Sequence, residues 1–323
     1  MSDAPGSAAD EPVPIALAVH GGAGTIRRGL ASEDSLAAYR DGLRRALYAG
    51  HAILAAGGRA LDAVTAAVVA LEDDPLFNAG RGASFTAAGT FEMDAAIMDG
   101  NGRRAGAVAA LFGPKNPVMA ARAVMDGSPH VLLVGAGAAA FCRARGLTFA
   151  GPGYFYTEAR WRELQQVLER RVVPDEADPS GGHGTVGAVA RDHAGNLAAA
   201  TSTGGMAGKA PGRVGDTSLI GAGTFADNAI CAVSATGHGE FFIRWGVASE
   251  LAARLAHLGH PLERAAAAVI AELAAKGGAG GLVAVDRRGR LALPFNTPGM
   301  YRGTIGKDGA PRTAIWDEPY RVG

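Results

Sequence analysis

The chain has 323 residues and equal numbers of acidic and basic side chains, so its formal net charge is zero. With 48% hydrophobic residues, a chain of this length can bury one large core or two smaller ones. A neutral chain has no general attraction to nucleic acid or to an anionic membrane surface, and no apolar run approaches the length of a membrane span. We therefore expect neither nucleic acid nor membrane as a partner.

The N-terminal segment and the cysteines indicate the compartment. Residues 1–14 lack the basic and apolar regions of a signal peptide and are predicted to form a disordered tail. The two cysteines, Cys142 and Cys231, are predicted to be buried free thiols. These features favour a cytoplasmic protein.

Apolar periodicity predicts a mixture of helices and strands. The predicted strands are residues 15–19, 91–98, 105–111, 130–134, 185–191, 197–203, 230–235, 282–286 and 291–295. The predicted helices are residues 35–56, 61–71, 117–125, 158–172, 240–258 and 261–276. Asp-Gly-Asn-Gly at residues 99–102 predicts a hairpin between two of the strands. Helices come in pairs and strands in adjacent groups, which favours an α+β fold over a doubly wound parallel sheet.

Two glycine-rich segments lack the other residues of a nucleotide-binding loop. Residues 131–137 look like a dinucleotide-binding turn, but no acidic residue ends a following strand at the required distance, so a tight turn that packs a helix is the better interpretation. The loop expected at residues 20–24 has no Lys-Ser/Thr pair after it. Its glycines would let backbone N–H groups approach a ligand, so this loop either backs an active site or is structural, with His20 as a core histidine. No residue cluster has convincing metal-ligand spacing.

A Gly-Thr step at residues 184–185 separates two unlike segments. Residues 174–182 are too polar to pack in a core, whereas residues 185–190 are typical of a buried strand. Cleavage between Gly184 and Thr185 would leave Thr185 with a free α-amine beside its own hydroxyl. Such an amine titrates at about pH 7.7–8.0 and can deprotonate the hydroxyl, which is otherwise a weak nucleophile. The uncut chain lacks the amine, so we expect it to be inactive.

Other short motifs surround this step in the sequence. They are residues 75–80, 201–205, 211–216, 236–240 and 293–297. Each alone has a structural explanation: Arg213 and Asp216 could form a surface ion pair of small energetic value, and residues 236–237 could cap a helix.

Together with the Gly-Thr step, these motifs resemble the plant-type asparaginase and isoaspartyl peptidase family of N-terminal nucleophile hydrolases. The resemblance covers residues 15–301, apart from a flexible linker at about 173–184. It implies an α+β fold of the four-layer αββα sandwich type, forming one domain. It also implies a precursor that cuts itself into an α chain, residues 15–184 after the tail, and a β chain, residues 185–323. Two cut chains would assemble into a dimer of αβ heterodimers.

The resemblance also implies roles for individual residues in catalysis. It places the nucleophile at Thr185 and a supporting hydroxyl at Thr203. It assigns the oxyanion-hole donors to the Thr236 hydroxyl and the Gly237 backbone N–H, and it places Asn78 near the nucleophile.

Substrate binding follows from the same resemblance. Arg213 would hold the substrate α-carboxylate, and Asp216 the α-ammonium, assisted by the Gly239 carbonyl. His238 stands where relatives often have a small hydroxyl residue, and its effect depends on whether its side chain enters the site. No catalytic cofactor is implied. A structural sodium ion would be bound by the main-chain carbonyls of Leu71, Glu72, Asp74, Phe77, Ala79 and Arg81.

The expected activity is hydrolysis of β-aspartyl amide bonds, in isoaspartyl dipeptides and L-asparagine, with release of L-aspartate. Three alternatives remain open from the sequence: a glycosylasparaginase, a threonine endopeptidase on the same fold, and a binding protein that keeps the scaffold without maturing. The lack of a signal sequence and the two cysteines argue against the first, which is usually secreted and disulfide-bonded. The presence of all expected catalytic residues argues against the last.

Overall fold

The computed structural model describes residues 15–24, 26, 28–29, 32–169 and 184–323. The predicted tail at residues 1–14 lies outside the described residues, as does nearly all of the predicted linker at 173–184. The last residues of the helix predicted at 158–172 lie outside them as well.

The secondary structure alternates groups of strands with groups of helices. The helices are α1 (Glu33–Ala55), α2 (Ala60–Glu72), α3 (Pro117–Gly127), α4 (Gly135–Ala144), α5 (Pro152–Phe155), α6 (Glu158–Glu169), α7 (Gly239–Trp245), α8 (Val247–Leu258) and α9 (Leu262–Ala275). The strands are β1 (Ala16–Gly24), β2 (Met93–Asp99), β3 (Arg104–Leu111), β4 (Leu132–Val134), β5 (Val186–Arg191), β6 (Leu197–Thr203), β7 (Thr224–Ala226), β8 (Cys231–Gly237), β9 (Gly280–Asp286), β10 (Leu291–Ala292), β11 (Gly299–Gly306), β12 (Arg312–Ala314) and β13 (Arg321–Val322). This mixture confirms the predicted α+β class.

The strands form two sheets. The larger has nine strands in the order β13-β12-β11-β1-β5-β6-β2-β3-β4, and the smaller has four in the order β10-β9-β8-β7. Neighbouring strands are antiparallel throughout, except that β4 runs parallel to β3. The two strands that follow the Gly-Thr step in the sequence, β5 and β6, are therefore neighbours near the centre of the larger sheet.

Two hydrophobic cores lie on opposite faces of the larger sheet. In β1, Leu17 and Val19 face a core shared with α1 and α2, whereas Ala16 and Ala18 face a second core shared with the smaller sheet, α8 and α9. The same alternation places alternate residues of β6 in the two cores. Because both faces are buried, these strands are continuously apolar rather than alternating.

Several elements differ from those predicted. The helix predicted at 240–258 is two helices, because Gly246 between them adopts a left-handed conformation with φ of 52°. The glycine-rich segment at residues 20–24 is not a loop but the second half of β1, with a bulge between His20 and Gly22. The last strand was predicted too long, since β10 spans only two residues. Strands β7, β11, β12 and β13 were not predicted.

Other predictions hold in the described part of the chain. The hairpin at residues 99–102 joins β2 and β3 as expected. Residues 131–137 form a strand that turns into α4 at Gly135, a tight turn of the predicted kind. Cys142 and Cys231 are both free and buried. Within the described ranges, no helix is long and apolar enough to cross a membrane.

Candidate active site

Thr185 lies directly before β5 and is almost fully buried, with 8% of its surface exposed. Its Oγ1 donates to Oγ1 of Thr203, at the end of the paired strand β6, over 3.2 Å. Thr203 Oγ1 in turn donates to the Gly184 carbonyl at 3.0 Å and accepts from the Gly205 N–H at 2.9 Å. One hydroxyl therefore contacts both the predicted nucleophile and the carbonyl of the predicted cleavage bond.

Asn78 is buried beside the same bond. An ideal Cβ atom on Gly184 would lie 2.7 Å from the Asn78 Cβ, so a larger side chain at residue 184 would collide with Asn78. The Asn78 amide donates to the Gly205 carbonyl at 2.6 Å and accepts from the Ser84 N–H at 2.7 Å. Asn78 thus lies against Gly184, the residue before Thr185, and its amide binds the main chain that follows Thr203.

Thr236 and Gly237 lie at the end of β8. The Thr236 side chain is buried, and its Oγ1 accepts from the Ala23 N–H at 3.2 Å, which leaves the hydroxyl proton free to donate elsewhere. Gly237 has φ of 151°, and a Cβ atom there would lie 2.4 Å from the Ala279 carbonyl oxygen. Only glycine fits this position. Because His20 binds the Thr185 carbonyl, Thr185 and Thr236 contact the same segment of β1.

The three predicted substrate-binding residues are also brought together. An ideal Cβ on Gly239 would lie 2.9 Å from Asp216 Oδ1 and 3.1 Å from Arg213 Nη2. Asp216 is 5% exposed, and its Oδ2 is buried without a hydrogen-bond partner among the described residues. Burial raises the pKa of Asp216 to about 7, although the nearby Arg213 lowers it. A buried carboxylate with an unused oxygen is suited to receive an ammonium group.

Glu240 belongs to the same charged cluster as Arg213 and Asp216. The sequence did not reveal this role, because it placed Glu240 only at the start of a helix. Arg213 donates from Nε and Nη2 to the two Glu240 carboxylate oxygens, both at 2.8 Å. The ion-pair partner of Arg213 is therefore Glu240. The alternative interpretation, a surface ion pair between Arg213 and Asp216, does not describe this contact. The guanidinium edge formed by Nη1 and Nη2 keeps further donors for a second carboxylate.

His238 lies on the Glu240 side of the cluster. Its Nε2 is 3.3 Å from Glu240 Oε2, and its ring packs on Phe241 with ring centroids 5.0 Å apart. Its side chain is 14% exposed. The sequence left open whether the His238 side chain enters the site. In the fold it contacts Glu240, the carboxylate that holds Arg213.

Buried contacts connect the segment at residues 211–216 with the strand that carries Thr203. Asp94 pairs with Thr203 across β2 and β6, and its Oδ2 accepts from the Gly215 N–H at 3.3 Å. The buried Lys209 donates to the Glu92 carbonyl at 2.6 Å. Burial raises the pKa of Asp94 and lowers that of Lys209. Thr185 is therefore connected, through Thr203 and Asp94, to the segment that carries Arg213 and Asp216.

A family sequence profile described as asparaginase matches residues 13–315. The chain belongs to this family. An isoaspartyl peptidase of Salmonella typhimurium is 50% identical over 310 residues, covering 94% of this chain and 98% of that protein. An isoaspartyl peptidase of Escherichia coli is 49% identical over 310 residues, covering 94% and 96%. A plant-type L-asparaginase of Pyrobaculum calidifontis is 44% identical over 311 residues, covering 93% and 99%. Membership of the asparaginase family confirms the resemblance drawn from the sequence motifs.

Proposed function

We propose that this chain is a self-processing threonine hydrolase that cleaves β-aspartyl amide bonds. Its substrates would be isoaspartyl dipeptides and L-asparagine, and L-aspartate would be released. The observation that carries the proposal is the hydrogen-bonded series from Thr185 Oγ1 through Thr203 Oγ1 to the Gly184 carbonyl. Membership of the asparaginase family and the names of the relatives support the choice of substrate.

Self-cleavage uses the hydroxyl groups, because the uncut chain has no free α-amine at Thr185. Thr185 Oγ attacks the Gly184 carbonyl carbon and passes its proton to Thr203, whose own proton goes to the carbonyl oxygen. The C–N bond then breaks as the proton on the former carbonyl oxygen passes to the nitrogen, leaving an ester and a free, neutral Thr185 amine. A cavity of about 160 Å³ borders Gly184 and Asn78 and has room for the water that hydrolyses the ester.

Turnover then uses the amine released by self-cleavage. It takes the proton of the Thr185 hydroxyl, and Thr185 Oγ attacks the side-chain carbonyl of the substrate. The Thr236 hydroxyl and the Gly237 N–H stabilise the oxyanion, a contribution of about 3 kcal/mol for each donor. The Thr185 ammonium gives its proton to the leaving nitrogen, and ammonia or a peptide amine departs. Water then hydrolyses the β-aspartyl ester, with the Thr185 amine again as the base, and regenerates the Thr185 hydroxyl.

Specificity for a free aspartyl unit comes from the charged cluster of Arg213, Asp216 and Glu240. The free edge of the Arg213 guanidinium binds the α-carboxylate, while Asp216 and the Gly239 carbonyl bind the α-ammonium. Only an aspartyl unit with both α groups free can satisfy Arg213 and Asp216 together. The bidentate pair with Glu240 fixes the orientation of Arg213 before the substrate arrives.

A substrate panel tests this proposal. We expect the cut protein to hydrolyse β-aspartyl-leucine and L-asparagine and to reject α-aspartyl-leucine, whose α-carboxyl group lies in the peptide bond. Released aspartate and ammonia are the measured quantities. Preference for N-acetylglucosaminyl-asparagine would favour a glycosylasparaginase instead, and cleavage of a folded protein would favour an endopeptidase. Absence of aspartate release from both proposed substrates would contradict the proposal.

The arrangement of the cores supports a proposal for the layers, and the family resemblance supports one for the assembly. Helices α1–α4, the larger sheet, the smaller sheet and helices α8–α9 would form a four-layer αββα sandwich. Cut between Gly184 and Thr185, two chains would form a dimer of αβ heterodimers. The buried free thiols of Cys142 and Cys231 suit a cytoplasmic location.

A structural sodium ion is proposed for the segment from Leu71 to Arg81. Main-chain carbonyls are suitable neutral ligands for a hard monovalent cation, and this segment turns tightly on itself. A Cβ on Gly80 would lie 2.5 Å from the Glu72 carbonyl oxygen, and one on Gly82 would lie 2.1 Å from that of Phe77. Gly80 and Gly82 thus let the chain pass close to the carbonyls of Glu72 and Phe77, two of those that the family resemblance assigns to the ion. Among the described residues, no group of three His, Cys, Asp or Glu side chains offers a different metal site.

Replacing sodium tests this proposal. We expect the unfolding temperature to be higher in sodium chloride than in choline chloride at equal ionic strength, because an ion that binds only the folded state stabilises it. Gly82→Ala, which places a methyl group against the Phe77 and Pro75 carbonyls, should abolish the difference. Gly102→Ala, in an open hairpin turn, should retain it as a control. Equal unfolding temperatures in the two salts would contradict a sodium site.

A further inference from the structure

His20 is fully buried in β1 and is hydrogen-bonded through both ring nitrogens. Its Nδ1 is 2.9 Å from the Thr185 carbonyl oxygen, and its Nε2 is 2.8 Å from Ser234 Oγ. A carbonyl oxygen only accepts, so Nδ1 carries the proton and Nε2 accepts from the Ser234 hydroxyl. Burial lowers the pKa of His20 to about 3, so the ring is neutral near neutral pH.

This histidine ends a buried series of hydroxyl groups. Ser234 Oγ is 2.8 Å from Thr201 Oγ1, which in turn lies 2.7 Å from Thr224 Oγ1. Thr224 Oγ1 is also 3.1 Å from the Thr217 carbonyl. Since Thr217 follows Asp216 directly, the series runs from the substrate-binding segment to the backbone of the nucleophile.

Gly187 makes the contact between His20 and Ser234 possible. Residue 187 pairs with His20 across β5 and β1. A Cβ atom there would lie 1.9 Å from Ser234 Oγ and 2.4 Å from His20 Nε2. Any side chain at residue 187 would therefore displace this hydrogen bond. Because Gly187 has no side chain, the space beside β5 is open for His20 and Ser234 to meet.

We propose that His20 is a positioning residue. It holds the Thr185 carbonyl, and with it the peptide group between residues 185 and 186, so that the Thr185 amine and hydroxyl keep a fixed place. The proposal rests on the proposed function, in which Thr185 becomes a chain end. Before cleavage, Thr185 is tethered on both sides. After cleavage, the Thr185 amine and hydroxyl can rotate together about the Cα–C bond. The Thr185 carbonyl is then the nearest main-chain group that a hydrogen bond can hold in place. His20 fixes it from Nδ1, and Ser234 fixes the ring.

Two amide variants separate the roles of the two ring nitrogens. The side-chain nitrogen of asparagine occupies the place of Nδ1, so His20→Asn keeps a donor to the Thr185 carbonyl. The end of a glutamine side chain reaches the place of Nε2, so His20→Gln keeps the contact with Ser234 and loses the one with Thr185. Both variants replace the ring by an amide at the same buried position, which makes each the control for the other.

We expect His20→Gln to lower kcat by about 100-fold, because a small displacement of a nucleophile has an effect of this size. His20→Asn should lose only about tenfold or less, and KM should change little in either variant. Ser234→Ala, which keeps the Nδ1 contact, should also lose less than His20→Gln. Steady-state kinetics with β-aspartyl-leucine on fully cut protein measure these values. If His20→Gln does not cut itself, the rate of self-cleavage on denaturing gels replaces kcat and should follow the same order.

Equal losses in His20→Asn and His20→Gln, or an increase of KM alone, would overturn the positioning role. Failure of the proposed function gives a different result. In that case the wild-type chain would stay whole, or Thr185→Ala would remain active, whatever residue stands at position 20.

Discussion

Thr185→Ala should yield a chain that stays whole and does not hydrolyse β-aspartyl-leucine. In the proposed mechanism, the substitution removes the one oxygen that attacks first the Gly184 carbonyl in self-cleavage and later the substrate. Loss of a nucleophile of this kind lowers kcat by about 10⁴-fold or more. Denaturing gels should show one band where the wild type shows two, and aspartate release should fall to the background rate.

Two controls accompany this variant. Thr185→Ser keeps the hydroxyl and should still cut itself. Thr65→Ala removes a threonine hydroxyl on α2 that donates to the Leu61 carbonyl at 2.7 Å and accepts from Arg122 Nη1 at 3.3 Å, and this variant should cut itself and turn over substrate like the wild type. Two bands or normal turnover from Thr185→Ala would show that another group is the nucleophile.

Asp216→Asn should lower kcat/KM for β-aspartyl-leucine by about 100-fold or more, mainly through KM. The asparagine side chain has nearly the same shape, but it leaves the substrate ammonium without a buried counter-charge, and breaking one side of a buried ion pair costs about 3–5 kcal/mol. Asp41→Asn, an exposed carboxylate on α1, is the matched control and should change neither constant. An unchanged KM in Asp216→Asn would remove Asp216 from the substrate site.

The same residue predicts a pH dependence of substrate binding. Burial, with smaller contributions from Glu240 and Asp94, raises the pKa of Asp216 to about 7, whereas Arg213 lowers it. Below this pH the carboxyl is protonated and binds an ammonium poorly. The wild-type KM should therefore rise as the pH falls through about 7, separately from any effect of the Thr185 amine on kcat, and the Asp216→Asn KM should be flat.

The free energy of unfolding depends on pH in the opposite direction to substrate binding: substrate binding weakens as the pH falls, whereas stability is lost as the pH rises. The folded state of Asp216 holds its proton up to about pH 7, whereas the unfolded chain releases it near pH 3.8. The free energy of unfolding therefore loses a contribution as the pH rises between these values and is constant above them. Asp216→Asn should gain stability relative to wild type between pH 5 and pH 8. Denaturant unfolding at the two pH values measures this difference.

The sequence predicted elements where local signals and the final packing agree. The strands at 185–191 and 197–203 and the hairpin at 99–102 are found, because β-forming residues and turn residues act over short range. The break at Gly246 was missed because the apolar periodicity continues through it. Strand β11 was missed because Gly299, Gly303 and Gly306 disfavour a strand, and pairing with β1 overrides that preference.

The site shows the same limit. The Gly184–Thr185 step can be interpreted from its neighbours alone, but the roles of Arg213, Asp216 and Thr236 came from resemblance to a family. Contacts between distant residues have no signal in one sequence. His20 binds the carbonyl of a residue 165 positions away, and sequence reasoning left it open whether His20 was structural. The fold shows that the histidine contacts the active site, and that its ring is buried.

The central claim is that Thr185 acts as a chain end, with its own amine as the base. The most direct measurement follows self-cleavage of freshly purified protein over time, with N-terminal sequencing of the smaller fragment and assay of β-aspartyl-leucine hydrolysis in the same samples. The account predicts a fragment that begins at Thr185 and activity that rises in proportion to it. Full activity in samples where the chain is still whole, or a fragment that begins at another residue, would contradict the account.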